Sequence, residues 1–204
     1  MDVCEQGVSE NAGQGRPINV LIVVTPNGRG TGFLIEPNLV VTAGHVVQPY
    51  QRTLTPLANI SVHTPAGIVL QPTAVKVHRS WSNGFRRSAD MAILRLAHQP
   101  PDEEVVEILE DAAADSLAVS IAGFDSGAEV TNTGTTSRVE NPNDLDVFTS
   151  SDLTFPSGVS GGPIRNEDQI AIGIATWSHQ DPAQDSFIGI PFLEATLGWL
   201  RKHV

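Results

Sequence analysis

The chain has 204 residues, 40% of them hydrophobic and 17% charged, with a formal net charge of −11. This is the composition of one globular domain, or of two small ones packed together, and it excludes a disordered chain. The acidic balance excludes non-specific nucleic-acid binding, and no apolar run approaches the ~20 residues that span a bilayer, so neither nucleic acid nor a membrane is expected as a partner.

Residues 1–16 read as a flexible polar arm with neither a basic start nor an apolar core. No secretory signal is expected there, which points to the cytoplasm; secretion is the alternative if a leader has been removed. The single cysteine, Cys4, lies in this arm and allows neither an internal disulfide nor a cysteine metal site. From residue 17 a period-2 pattern dominates. Ile18–Val24, Thr31–Ile35, Asn38–Ala43, Ile60–Thr64, Ile68–His78 and Met91–Leu96 read as strands, each β-branched or apolar and bounded by Gly, Pro or Asn. Pro100 and Pro101 then open an acidic stretch, read as a connector over about 100–116. Strands resume at Leu117–Phe124, Thr135–Val139, Asp146–Ser150, Gln169–Ser178 and Phe187–Ile190. Many short strands with frequent turns predict an all-β protein. Two similar sets predict two barrels, about 17–99 and 117–190. One helix is expected, over about 191–204. There Leu193, Leu197, Leu200 and Val204 recur at helical spacing, and Pro191 suits the first turn.

The stretch PSGVSGGPI, Pro156–Ile164, packs glycines closely around Ser160. Glycine costs backbone entropy, so a cluster about one hydroxyl suggests a backbone shaped to present it. GVSGG also fits the G-x-S-x-G nucleophile elbow, but that motif needs a helix after the serine and its acid and histidine later in the chain. Here β-patterned sequence follows, and too little chain remains. Upstream, VVTAGHVVQPY places His45 in a small-residue turn after an apolar strand, and SADMAILRL places Asp90 at the mouth of a buried strand. A carboxylate there is costly unless something hydrogen-bonds it, and a histidine is the natural partner. His45, Asp90 and Ser160 then follow one of the known chain orders of an acyl-transfer triad.

TGFLIEPNLVVTAGHVV, DMAILRL and GVSGGPI together resemble the three signature segments of the trypsin/chymotrypsin-like serine proteases. The disulfide-poor bacterial branch, with its glutamyl endopeptidases and heat-shock serine proteases, is the most similar. The resemblance implies two packed antiparallel six-stranded β-barrels (a chymotrypsin-like fold) with a C-terminal helix, in a protease domain over 17–204. It implies a serine endopeptidase working through an acyl-enzyme, with no cofactor and no metal. Ser160 would be the nucleophile, His45 the base, and Asp90 the group that fixes the imidazole tautomer. The backbone N–H groups of Gly158 and Ser160 would form the oxyanion hole. ATWSH, Ala175–His179, looks like the strand that pairs with the substrate backbone. Thr176 would lie near Asp90, Trp177 and Ser178 would wall the primary specificity pocket, and Thr154 would form its floor.

Three departures from the family pattern matter. Val159 precedes the nucleophile where proteases activated by cleavage carry aspartate, so no N-terminal cleavage is expected to be needed. Val46 follows His45 where many animal relatives have cysteine. Thr154 is not an acid, which argues against Arg/Lys preference. Small or medium uncharged side chains are favoured instead, with glutamate preference through His179, or an altered pocket through Asp152 or Asp185, as alternatives. GRGTGF, Gly28–Phe33, lacks the spacing of a phosphate loop, and the remaining histidines show no ligand spacing. The partner is a protein or peptide substrate. Two alternatives stay open: a latent protease module activated by a regulatory protein partner in signalling or defence, and a non-catalytic peptide-binding module.

Overall fold

The computed structural model describes residues 19–110, 116–140, 145–176 and 186–202. The first half supplies β1 (Leu21–Thr25), β2 (Gly28–Glu36), β3 (Leu39–Thr42), β4 (Ser61–His63), β5 (Val69–Leu70), β6 (Ala74–Val77) and β7 (Ala92–Arg95). They form one antiparallel sheet in the order β5-β4-β1-β2-β3-β7-β6. The expected six strands are therefore seven here. The predicted strand Ile68–His78 is split into β5 and β6, which lie at opposite edges of the sheet. Pro72 stands between them, and proline has no N–H for a ladder. Because consecutive strands occupy both edges, this one segment bridges the ends of a curled sheet.

The second half forms a closed six-stranded barrel, β10-β13-β12-β11-β8-β9. Its strands are β8 (Leu117–Asp125), β9 (Ala128–Val139), β10 (Val147–Ser150), β11 (Pro163–Arg165), β12 (Ala171–Ala175) and β13 (Ser186–Pro191). β9 runs seven residues earlier than its apolar pattern predicts. A two-residue turn, Ser126 (φ 51°) and Gly127 (φ 89°), has the positive φ values of a tight hairpin and carries a polar strand along β8.

Four apolar clusters hold the halves among the described residues, the smallest of them Val20, Ala122 and Phe124. Leu21, Leu34, Val40 and Leu94 fill the inside of the first sheet. Ile121, Phe148, Ile164 and Ile172 fill the second barrel. Alternate residues of the first sheet, including Phe33, Val41 and Ile93, point outward and pack against Ile174, Ile190 and Phe192. With both faces buried, β3 runs Leu39-Val40-Val41, continuously apolar rather than alternating, before the buried Thr42. The connector joins this seam: the Val106 N–H donates to the Leu34 carbonyl and the Leu109 N–H to the Ala171 carbonyl.

The C-terminal helix α3 is Glu194–Lys202, later than predicted. Pro191 ends β13 instead of starting the helix. Extended backbone continues to Phe192, whose N–H still donates to Ile172 and whose ring meets Phe33 edge-on. Leu197 and Leu200 then turn into the seam. Two short helices escape the apolar periodicity: α1 (Gly44–Val47) and α2 (Arg79–Gly84). Neither is long enough to show a helical repeat.

Candidate active site

β3 carries the chain to Ala43, and α1 turns His45 toward the cleft between the halves. Asp90 stands at the entry to β7, fully buried. Its Oδ1 accepts the backbone N–H of His45 at 2.7 Å, and its Oδ2 lies 2.7 Å from His45 Nδ1. One carboxylate thus fixes both the main chain and the ring of the histidine. These are short, charge-assisted contacts, and they satisfy a group that would otherwise be costly to bury. The small residue before the histidine has a steric cause. A Cβ on Gly44 would come within 2.9 Å of the Trp81 ring and 3.0 Å of Asp90 Oδ1.

Sequence reasoning missed Trp81. It is fully buried on α2, donates its indole N–H to the Gln48 carbonyl at 3.0 Å, and meets the His45 ring edge-on. Tyr50 and Phe85 extend this aromatic wall. Only the run of aromatics between His45 and Asp90 could have signalled it.

Ser160 follows a 3₁₀ turn, Ser157–Val159, and the first sheet grips this loop across the cleft. The Thr31 N–H donates to the Ser160 carbonyl at 2.7 Å, and the Thr31 hydroxyl donates to the Gly158 carbonyl at 2.8 Å. The same hydroxyl accepts the Phe124 N–H at 3.0 Å, while Thr42 donates its hydroxyl to the Thr31 carbonyl at 2.7 Å. GRGTGF, which has no phosphate-loop spacing, acquires a role here: it brings β2 against the loop that carries Ser160. Gly161 has φ 93° and lies so close to the Thr31 carbonyl that no Cβ fits.

The Ser160 hydroxyl donates to the Thr176 carbonyl at 3.1 Å. The Ser160 N–H donates to the Ser157 carbonyl at 3.3 Å. One of the two N–H groups expected to bind an oxyanion is therefore engaged inside its own turn. A buried backbone donor needs an acceptor, and the i→i+3 bond of the turn supplies one.

Thr176 is buried, and its hydroxyl has no hydrogen-bond partner among the described residues, so it forms no hydrogen bond to Asp90. Thr154 is exposed, and its carbonyl accepts the Asn132 side-chain amide at 2.9 Å. Trp177, Ser178, His179 and Asp185 lie outside the described residues, as does Cys4. Val159 is fully buried in the second barrel's apolar cluster and carries no charge for an N-terminal amine.

Asp152 is bonded to β9 and to Ser150. It accepts the Thr135 N–H at 3.0 Å, the Thr135 hydroxyl at 3.0 Å and the Ser150 hydroxyl at 2.8 Å. It caps β9 just where the pairing with β10 ends. These bonds, the Thr135 N–H first, hold its carboxyl below the ordinary carboxylate value. A depressed carboxyl stabilises above the unfolded value of about 3.9 and loses that contribution as pH falls through the folded value. Exchange of the Thr135 amide is therefore expected to be slow from neutral pH to about 4 and to speed up below it. Asp152→Ala should make it fast throughout, and unchanged exchange in that variant would sink the capping role.

A family model for the trypsin-like peptidase domain matches residues 30–174, well over half of the chain. The chain belongs to that family and is a serine endopeptidase by class. Similar solved structures include a Glu endopeptidase, 18% identical, with a TM-score of 0.74, covering 92% of this chain and 91% of that one. The inactive form of the Rv3671c protease is 23% identical, with a TM-score of 0.64, covering 90% and 88%. An inactivated protease paralogue of the scabies mite is 15% identical, with a TM-score of 0.68, covering 91% and 93%. At these identities the likenesses establish the chymotrypsin-like fold. No curated protein sequence matches the chain significantly.

Proposed function

We propose that the chain hydrolyses peptide bonds through Ser160, His45 and Asp90. The observation that carries this reading is the double clasp of Asp90 on His45, which orients the ring and sets Nδ1 against the carboxylate as its donor. A serine hydroxyl is a weak nucleophile and needs such a base. Rotation of the Ser160 side chain away from the Thr176 carbonyl would turn Oγ toward the imidazole. His45 takes the hydroxyl proton as Oγ bonds to the scissile carbonyl carbon. The imidazolium, stabilised by Asp90, then gives that proton to the leaving amine as the C–N bond breaks. Water, deprotonated by His45, attacks the acyl-enzyme, and Ser160 recovers its proton as the acid product leaves.

The oxyanion needs the N–H groups of Gly158 and Ser160. The Ser157 carbonyl must therefore give up the Ser160 N–H when substrate arrives. This contact favours one of the two alternatives, a latent protease module activated by a partner chain. The exposed, uncharged Thr154 supports small or medium uncharged residues before the cleaved bond.

Labelling with a fluorophosphonate at about pH 8, with mapping of the labelled residue, tests the reading. Labelling at Ser160, lost in Ser160→Ala and His45→Ala, is the expected result. No labelling of the folded native protein, with or without substrate peptide, would refute it. Removing residues 1–16 is expected to leave the labelling rate within about twofold, because Val159 offers no carboxylate for a new terminal amine. A many-fold gain would show a cleavage switch.

A further inference from the structure

A cavity of about 490 Å³ opens beside His45 and Ser157. Two separate elements line it. One is the β1–β2 hairpin, with Asn27 and Arg29; the other is the turn after α1, with Tyr50 and Arg52. Both are fastened to the histidine's own helix. The Thr25 hydroxyl donates to the Val46 carbonyl at 3.3 Å. The Gln48 side-chain amide donates to the Arg52 carbonyl at 3.2 Å, and the Thr55 N–H donates to the Val47 carbonyl at 2.8 Å. Strand alternation gives Arg29 the same face of β2 as Thr31, the face that meets the nucleophile loop.

The charge of this cavity is opposite to that of the chain. Asp and Glu number 23 against 12 Lys and Arg, yet among the described residues two arginines and no acid line it. Arg138 and Arg201 form surface ion pairs, whereas neither Arg29 nor Arg52 has a carboxylate partner among the described residues. Unpaired guanidiniums in a fixed frame are receptors for carboxylates.

Position decides which half of a substrate enters. The acyl half is expected along the segment Ala175–His179 that the family resemblance marks for substrate pairing, on the second barrel. His45 returns its proton to the leaving amine, so the leaving half lies on the histidine's side, where the cavity opens. We propose that this cavity binds the leaving half of the peptide and that Arg29 and Arg52 select acidic side chains in its first residues. The inference rests on the hydrolase reading above and gives that site a substrate class: proteins cut just before an acidic cluster.

The test uses two fluorogenic peptides identical before the cleaved bond, one with two aspartates after it and one with two lysines. The native protein is expected to favour the acidic peptide about tenfold in kcat/KM, and the ratio should shrink as salt rises from roughly 0.05 to 0.5 M. Arg29→Gln and Arg52→Gln should each reduce the ratio, and the double variant should bring it near unity. A native ratio at or below one, or an unchanged ratio in the double variant, overturns the proposal. Binding of the same two peptides to Ser160→Ala, read by fluorescence anisotropy, keeps the two readings distinguishable. If the native protein cuts neither peptide but Ser160→Ala prefers the acidic one and loses that preference with Arg29→Gln and Arg52→Gln, the subsite stands and the hydrolase reading falls. Equal binding of both peptides removes the subsite whatever the activity.

Discussion

Asp90→Asn is expected to lower turnover about ten-thousandfold while leaving the fold intact. The reason lies in which end of the new amide faces which donor. The His45 backbone N–H needs an acceptor, so the amide oxygen must take the place of Oδ1. The amide NH₂ then faces Nδ1, where Oδ2 stood. Two donors cannot meet, so Nδ1 must become the acceptor and the ring proton moves to Nε2. That tautomer has no lone pair for the Ser160 proton. Because the main-chain bond survives, the melting temperature should barely move. Asp90→Leu provides the contrast, since it strips the His45 N–H of its acceptor and should cost about 1–3 kcal/mol as well as activity. Labelling rates and melting curves for both variants check this. An Asp90→Asn protein that labels within tenfold of the native rate would show that the carboxylate does not set the tautomer.

Thr31→Val should have the second-largest effect, from a residue that touches no reacting atom. Valine matches threonine in shape but cannot bond the Gly158 carbonyl or the Phe124 N–H. Each buried group left unsatisfied costs roughly 1–3 kcal/mol, so melting should fall by about 5–10 °C. The loop that carries Ser160 would also lose one of its fixed points, and on the proposed reading a misplacement of about 1 Å can cost a hundredfold in rate. The loss should fall on kcat more than on KM, because Thr31 positions the loop and does not bind the peptide. Thr31→Ser keeps the hydroxyl and should restore most of both. Destabilisation without a change in kcat would make Thr31 a purely structural joint.

The strands that read clearly in the sequence are those with an apolar face to bury. β1, β3, β7 and β8 announce themselves through Val, Ile and Leu. The first stretch of β9 is polar, because its neighbours supply the hydrogen bonds while its side chains face water, and so it left no pattern. β5 and β6 looked like one strand because Pro72 breaks pairing without breaking the apolar run. The residues of the candidate site were legible because each sits in a context that is hard to explain otherwise: a glycine cluster, a histidine in a small-residue turn, a carboxylate beside a buried strand. What could not be read was how they are held. The grip of Thr31 on Gly158 spans 127 positions in the chain, and no local pattern reports a contact made at that distance. The Ser160 N–H bond to Ser157 was equally invisible, because it depends on the orientation of a single peptide unit.

The Thr31 and Thr42 bonds also decide what heating should destroy first. Ser160 belongs to the barrel, but two of the bonds that hold its loop come from the first sheet, so on the proposed reading hydrolytic competence is a property of the joint and not of either half. A small separation of the halves would free the loop while every ladder of both sheets stayed paired. Inactivation should then precede the loss of β-structure on a temperature ramp and reverse on cooling. In such a molecule the catalytic rate serves as a gauge of domain contact, readable long before unfolding begins.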